Sequence, residues 1–395
     1  MKWNIASALA TAAASVLFMA QAVMSAEQPI LFGGSISRDG TYAEPAAMIQ
    51  KGYMLWEREV NQKGGLLGRQ VKLIFVNDHS DVPKASSIYE DLILEHRVDM
   101  LLAPYSTALT LAASKVCEAH DHVLVASGAS GTKIWNRGSG WVFGTYALAR
   151  RYFIGFLDLI ARQGRTEVSV LYENNLFNRD AALGVREWAP KFGLELNGWK
   201  AFDPGSDDTG LIWSNVRSWS SQALVICSYP PSGYRFLDLM HSTSSKPVAL
   251  AMTITPVHPD FYRRAGTIAE HVYAPSQWEP DERIPFPGTE RFIRSFERLF
   301  GQQPSYHAGS AYAACQVLEK AIASKQSLEQ EQIRDYIRSM DTVTVIGRFK
   351  VDHTGKQVGH NPLIIQWQKG RKEIVSPPHL RTARPLSPSP RGTQP

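Results

Sequence analysis

Cysteine is nearly missing: 395 residues contain three, Cys117, Cys227 and Cys315. Three thiols allow one disulfide with one left over, so a cystine-stapled miniature fold is excluded and stability must come from a hydrophobic core. Cys117 shares an apolar helical stripe with Leu109, Ala113 and Val116, Cys315 shares another with Ala311 and Leu318, and Cys227 lies in a strand-like run. Buried free thiols are therefore the expected state. Charge is sparse too, at 20% of residues, and the net +5 is deceptive. Lys2, Arg381, Arg384 and Arg391 account for four of those five charges, leaving residues 27–378 at about +1. With no Lys/Arg block and no zinc-finger or RNA-binding signature, nucleic acid is not an expected partner. After residue 26 there is no run of about 18 uncharged apolar residues, so no further membrane span is expected.

The first 26 residues differ from the rest. Lys2 gives a positive start, Ile5 to Ala20 an apolar stretch, and Ala20-Gln21-Ala22 or Met24-Ser25-Ala26 a small-residue end. That is the pattern of a secretory leader cleaved near Ala22 or Ala26. A retained membrane anchor fits less well, because the stretch is short and rich in Ala, Ser and Thr. The cleavage region carries no Cys for a lipid anchor.

A hydrophobic fraction of 44% over this length suits two or three globular domains at roughly 150 residues each. From Pro29 onward, short apolar runs alternate with helix-period segments, the pattern of an α/β fold with parallel sheets. Strands are expected at 30–33, 71–76, 100–103 and 123–126. A helix with Ile49, Gly52, Tyr53, Trp56 and Val60 on one face follows the first strand. A second lobe of the same design begins with helix 148–162, strand 168–172 and helix 179–191. It continues through strands near 194–199, 224–228 and 248–252. Helices at 289–300, 307–323 and 328–339 follow, then strand-like 343–351 and 362–368. The closing segment from Ser376 to Pro395 holds too many prolines for a sheet and reads as irregular or disordered.

Five strings occur in order along this pattern: Gly33 to Gly40 before a helix, Asn61 to Arg69 (NQKGGLLGR) before a strand, Asn77-Asp78 after it, Pro104-Tyr105-Ser106-Thr107, and Ala126-Ser127-Gly128-Ala129-Ser130. Together they resemble the leucine/isoleucine/valine-binding protein family, the solute receptors of branched-chain amino-acid ABC importers. The resemblance spans nearly the whole mature chain. It implies a type I periplasmic binding fold: two Rossmann-like lobes joined by three hinge crossings, near Tyr146, Gln277 and residue 358. Lobe 1 would be residues 27–146 plus 278–358, lobe 2 residues 147–277 plus 359–378, and 379–395 a Pro-rich tail. It further implies a periplasmic, monomeric receptor that traps one small solute by hinge closure and delivers it to permease subunits in the inner membrane, with no cofactor. A ligand sensor of the same fold acting on a regulatory partner is the alternative.

Physical chemistry points to the same site. In open parallel sheets ligands bind outside the carboxyl ends of strands, where helix N-termini present free N–H groups. Two strand ends here carry hydroxyls and small residues: Tyr105, Ser106 and Thr107, and Gly128, Ala129 and Ser130. These could hold a carboxylate, although Ser106, Thr107 and Ser130 could equally cap the helices that follow. The resemblance places Tyr42, Phe177 and Tyr229 as aromatic walls. Amino-acid receptors of the family place an acid after a late strand to pair the ligand ammonium, and this chain has Met252-Thr253-Ile254-Thr255-Pro256 there. Either Glu173 or Asp260 substitutes, or the solute is not an α-amino acid and Thr253 bonds an amide, hydroxyl or aromatic acid.

Enzyme and metal chemistries find little support. Gly128-Ala129-Ser130-Gly131-Thr132 misses the second glycine of a nucleophile elbow. Glu118, His120 and His122 lack the spacing of a metal-binding helix, and no phosphate-cradling glycine motif is present.

Overall fold

The computed structural model describes residues 28–386, apart from 139, 207 and 285. The expected leader and its cleavage at Ala22 or Ala26 lie outside the described residues, as does the tail beyond Leu386. Strand β1 (Ile30–Ile36) is buried along almost its whole length, as a strand covered by helices on both faces must be. It pairs in parallel with β2 (Val71–Asn77) and β3 (Met100–Leu102), and β4 (Leu124–Ala126) and β5 (Val142–Gly144) complete the order β2-β1-β3-β4-β5. Helices α1 (Ala43–Gln62), α2 (Val82–Leu94) and α3 (Thr107–Ala119) make the crossovers.

The chain then repeats this winding. Helix α4 (Ile154–Arg162) leads into β6 (Glu167–Glu173), α5 (Leu176–Trp188), β7 (Glu195–Phe202), α6 (Thr209–Ser218), β8 (Ala223–Cys227), α7 (Pro230–Ser242), β9 (Ala249–Met252), α8 (Phe261–Ala265) and β10 (Val272–Ser276). These strands lie in the order β7-β6-β8-β9-β10, so each sheet reverses its strand order once, between β1 and β3 and between β6 and β8. Such reversals open a crevice at the strands' carboxyl ends.

Helices α9 (Thr289–Phe300), α10 (Tyr306–Lys325) and α11 (Gln330–Ser339) and the hairpin β11 (Asp341–Thr344) and β12 (Gly347–Lys350) follow. Helix α10 lies on α1 so closely that a Cβ at Gly52 would sit 2.2 Å from the Ala308 carbonyl oxygen. Strands β13 (Leu363–Gln368) and β14 (Arg371–Ser376) return to the second sheet and extend it in antiparallel fashion beyond β10. The chain thus passes between the sheets after Gly144, after Ser276 and before Leu363. Gln277 ties these passages together: its Oε1 accepts the Ala147 N–H at 2.9 Å and lies 3.3 Å from His360 Nε2.

Several elements differ from the sequence expectation. Helix 148–162 begins only at Ile154, after a 3-10 turn at Ala149–Arg151. The strand-like 343–351 is a hairpin that turns at Val345-Ile346. Strands β5 and β14 were not anticipated: one is three residues long, and the other starts with three charged residues. Residues 381–386 are irregular but fastened, because Gln366 bonds both the N–H and the carbonyl of Leu386 and Gln368 bonds the Arg384 carbonyl. All three cysteines are free and buried. Among the described residues no helix is long and apolar enough to cross a membrane.

Candidate ligand-binding cleft

The loops after β1, β3 and β4 converge on the loops after β6, β8 and β9. In the β3 loop, Ser106 holds the unusual dihedrals φ 89° and ψ 151°, and its Oγ caps α3 by accepting the Leu109 N–H at 3.2 Å. Its backbone N–H bonds the Gly128 carbonyl at 3.1 Å, which locks the β3 and β4 loops side by side. Thr107 Oγ1 accepts the Gly131 N–H at 3.1 Å, and a Cβ on Gly131 would come within 2.4 Å of Thr107 Cγ2. The glycine is needed for this approach. Ser130 Oγ accepts the Tyr152 phenol proton at 3.0 Å. Thr107 and Ser130 each accept one bond, and a hydroxyl acceptor already engaged in this way is a stronger donor.

Facing these hydroxyls are rings from the second sheet. Tyr229, at the N-cap of α7, stands 4.9 Å centroid to centroid from Tyr42 and 6.2 Å from Tyr105, so phenols from the two sheets meet edge to face. Phe177, in the first turn of α5, packs on Tyr229 at 5.8 Å and Tyr152 at 5.5 Å. Tyr105, Thr107, Gly128, Ser130, Phe177 and Tyr229 line one cavity together with Tyr146, Tyr152, Ile254 and Tyr306. The arrangement is closed: about 10 Å³ is open to the centre of a water molecule, the room of a single water. Ile254, on the second-sheet rim, is strained at φ 49° and ψ −58°, as Ser106 is on the other. Strain of this kind, about 1–3 kcal/mol, gathers at ligand clamps.

The structure therefore brings six of the ten expected site residues to one cavity and places Tyr42 against two of them. It does not do so for Ser106, whose hydroxyl caps α3. Ala129 is buried but does not line the cavity. The Thr253 hydroxyl is spent on its own scaffold: it accepts the Ser228 N–H at 2.8 Å and donates to the Ser228 carbonyl at 2.9 Å. Sequence reasoning missed Tyr146, Tyr152, Tyr306 and Ile254 as lining groups. Tyr152 follows a 3-10 turn inside a segment that reads as one helix, and Tyr306 arrives from a chain passage far along the sequence. Neither carried a local signal.

Burial sets the charge state of the site. The phenols of Tyr105, Tyr146, Tyr229 and Tyr306 are pushed well above their ordinary range by desolvation, and Tyr152 to about 12, so all are neutral donors at pH 7. His307 packs edge-on to Tyr105 at 5.2 Å; burial lowers its pKa to about 3, so the imidazole is neutral. Glu173, at the end of β6, is raised by desolvation, opposed by hydrogen bonds from Ser232, the Tyr229 N–H, Asn175 and Asn178. Asp260 instead lies on the surface, paired with Arg263.

Two polar contacts join the halves at the cleft rim. Asp180 of α5 accepts the Thr132 N–H at 2.9 Å and the Thr132 hydroxyl at 3.2 Å, while Arg150 Nε bonds the same carboxylate at 2.7 Å. Glu44 of α1 pairs with Arg264 at the end of α8. Glu118 pairs with Arg137, and no group of three metal-ligating side chains occurs among the described residues.

The family model for "Periplasmic binding protein" matches residues 29–372. The chain belongs to this family. As a periplasmic binding protein it has curated relatives along nearly its full length. It is 21% identical over 357 residues to Leu/Ile/Val-binding protein homolog 7 of Brucella suis biovar 1 (85% of this chain, 89% of that protein). It is 22% identical over 404 residues to homolog 8 of Brucella abortus strain 2308 (96% and 97%). Its fold matches the substrate binding protein LivJ of Streptococcus pneumoniae in complex with isoleucine, with TM-score 0.80, 17% identity and 89% and 100% of the two chains covered. It also matches an ABC transporter solute binding protein of R. palustris in complex with benzoate, with TM-score 0.79, 16% identity and 92% and 98% covered. The fold is thus that of type I periplasmic binding proteins, and the relatives of this periplasmic binding protein are solute binders, not enzymes.

Proposed function

We propose that the protein is the exported, periplasmic solute receptor of an ABC importer. Its two lobes, residues 27–146 plus 278–358 and 147–277 plus 359–378, close on a small carboxylate- or amide-bearing solute. The closed form is then presented to permease subunits in the inner membrane, after a leader ending near Ala22 or Ala26 has been removed. The observation that carries this reading is the cavity between hydroxyl-bearing strand ends of one sheet and the rings of Tyr229 and Phe177 of the other. The solutes of two structural relatives, isoleucine and benzoate, share a carboxylate, the group that two donor hydroxyls above a helix N-terminus suit best. Micromolar affinity needs only about −8 kcal/mol, within reach of a few charge-assisted bonds at roughly 1.5–3 kcal/mol each plus ring burial.

Thermal-shift screening of the mature chain against amino acids, amides, urea and aromatic acids tests this. A ligand at 100 times its Kd adds about 2.7 kcal/mol of stability, several degrees in Tm. The Thr107→Ala, Ser130→Ala double variant is expected to fold and lose the shift. Silence of the wild type across the panel refutes the receptor, and an unaltered shift in the double variant refutes this site.

A further inference from the structure

The cavity wall is poor in charge and rich in rings. Among the described residues no Lys, Arg, Asp or Glu lines it; five tyrosines and Phe177 do. Of the two acids that could have answered an ammonium, Asp260 is on the surface holding Arg263. The other, Glu173, does not line the cavity, and its Oε2 already accepts Asn175 Nδ2 at 2.9 Å and Asn178 Nδ2 at 3.0 Å. An ammonium drawn into the closed cleft would lose its water and meet no anion on the cavity wall, which is costly. A carboxylate meets two donor hydroxyls, at Thr107 and Ser130.

Shape argues in the same direction. With about 10 Å³ open, a solute must enter by parting Tyr229 from Tyr42 and Tyr105, the ring contacts that now join the two sheets. A planar ring inserted there can remake an edge-to-face contact on each side, whereas a saturated chain forfeits both. Resting on the receptor reading above, we propose that the solute is an aromatic carboxylate without an ammonium group. Its ring sits between Tyr42 and Tyr105 on one side and Tyr229 on the other, and its carboxylate lies on Thr107 and Ser130.

The test is calorimetric titration of the mature chain at pH 7 with benzoate, cyclohexanecarboxylate, phenylalanine and leucine. Benzoate is expected to bind, with phenylalanine and leucine about 100-fold weaker for want of an ammonium partner. Cyclohexanecarboxylate keeps the charge and loses the π face, so it is expected about tenfold weaker. Tyr229→Leu is expected to shrink that tenfold ratio towards one, and circular dichroism checks that the variant is folded. Leucine or phenylalanine binding within tenfold of benzoate overturns the aromatic assignment and leaves the receptor standing. Equal binding of cyclohexanecarboxylate and benzoate overturns the ring stacking and with it the assignment. Failure of all four to bind refutes the assignment, and the broader thermal-shift panel then decides whether the receptor reading falls too.

Discussion

The carboxylate of Asp180 offers a sharp test of how the closed form is held. Thr132, in the loop after β4, gives it two bonds, at 2.9 Å from the N–H and 3.2 Å from the hydroxyl, so this side chain of α5 fastens one half to the other. Asp180 is 9% exposed, whereas the Arg150 side chain on the same carboxylate is 37% exposed and is left out of the sum for solvent screening. Bonds to a charged acceptor are worth about 1.5–3 kcal/mol and neutral ones about 0.5–1.5, so Asp180→Asn should remove roughly 1 kcal/mol per bond. For the two Thr132 bonds that is about 2 kcal/mol, or roughly 30-fold in the closed-to-open ratio. The assay is small-angle scattering of the unliganded protein, with calorimetric affinity for its solute alongside. The variant should have a larger radius of gyration and bind up to about 30-fold more weakly. A variant that scatters and binds like wild type, while folded, refutes the claim that Asp180 holds the halves together.

Three further outcomes are expected. Gly131→Ala places a Cβ 2.4 Å from Thr107 Cγ2, so it should cost about 1–3 kcal/mol of stability by denaturant titration and weaken solute binding at the same time. His307, lowered from 6.5 to about 3 by burial, binds fewer protons folded than unfolded in that interval, so its contribution is lost as pH falls from 6.5 towards 3. Between pH 7 and 4.5 this amounts to roughly 2–3 kcal/mol, and the urea midpoint of His307→Gln should fall less over that range than the wild-type midpoint. Burial also raises all three thiols, so Cys117, Cys227 and Cys315 should react with a thiol reagent only on unfolding, and reductant should leave Tm unchanged.

The buried strands β1, β3, β4, β8 and β9 were legible because their apolar runs are short and bounded by glycine, proline or polar residues. The hydroxyl loops at Tyr105–Thr107 and Gly128–Ser130 were legible because they stand directly after such runs. What could not be read was direction and partnership. Ser106, Thr107 and Thr253 look alike in sequence, yet one caps a helix, one faces the cavity and one braces its own sheet. Tyr146, Tyr152 and Tyr306 are scattered over 160 residues and meet only because three chain passages bundle around Gln277.

Local periodicity and turn chemistry, which act within a dozen residues, were enough to settle two α/β windings and the position of the hydroxyl turns. Long-range packing decided the rest: which sheet the chain returns to after Ser276, which hydroxyls line the cavity, and that Glu173 is already bound by its neighbours. Those outcomes depend on contacts between residues far apart in the chain, and no local pattern encodes them.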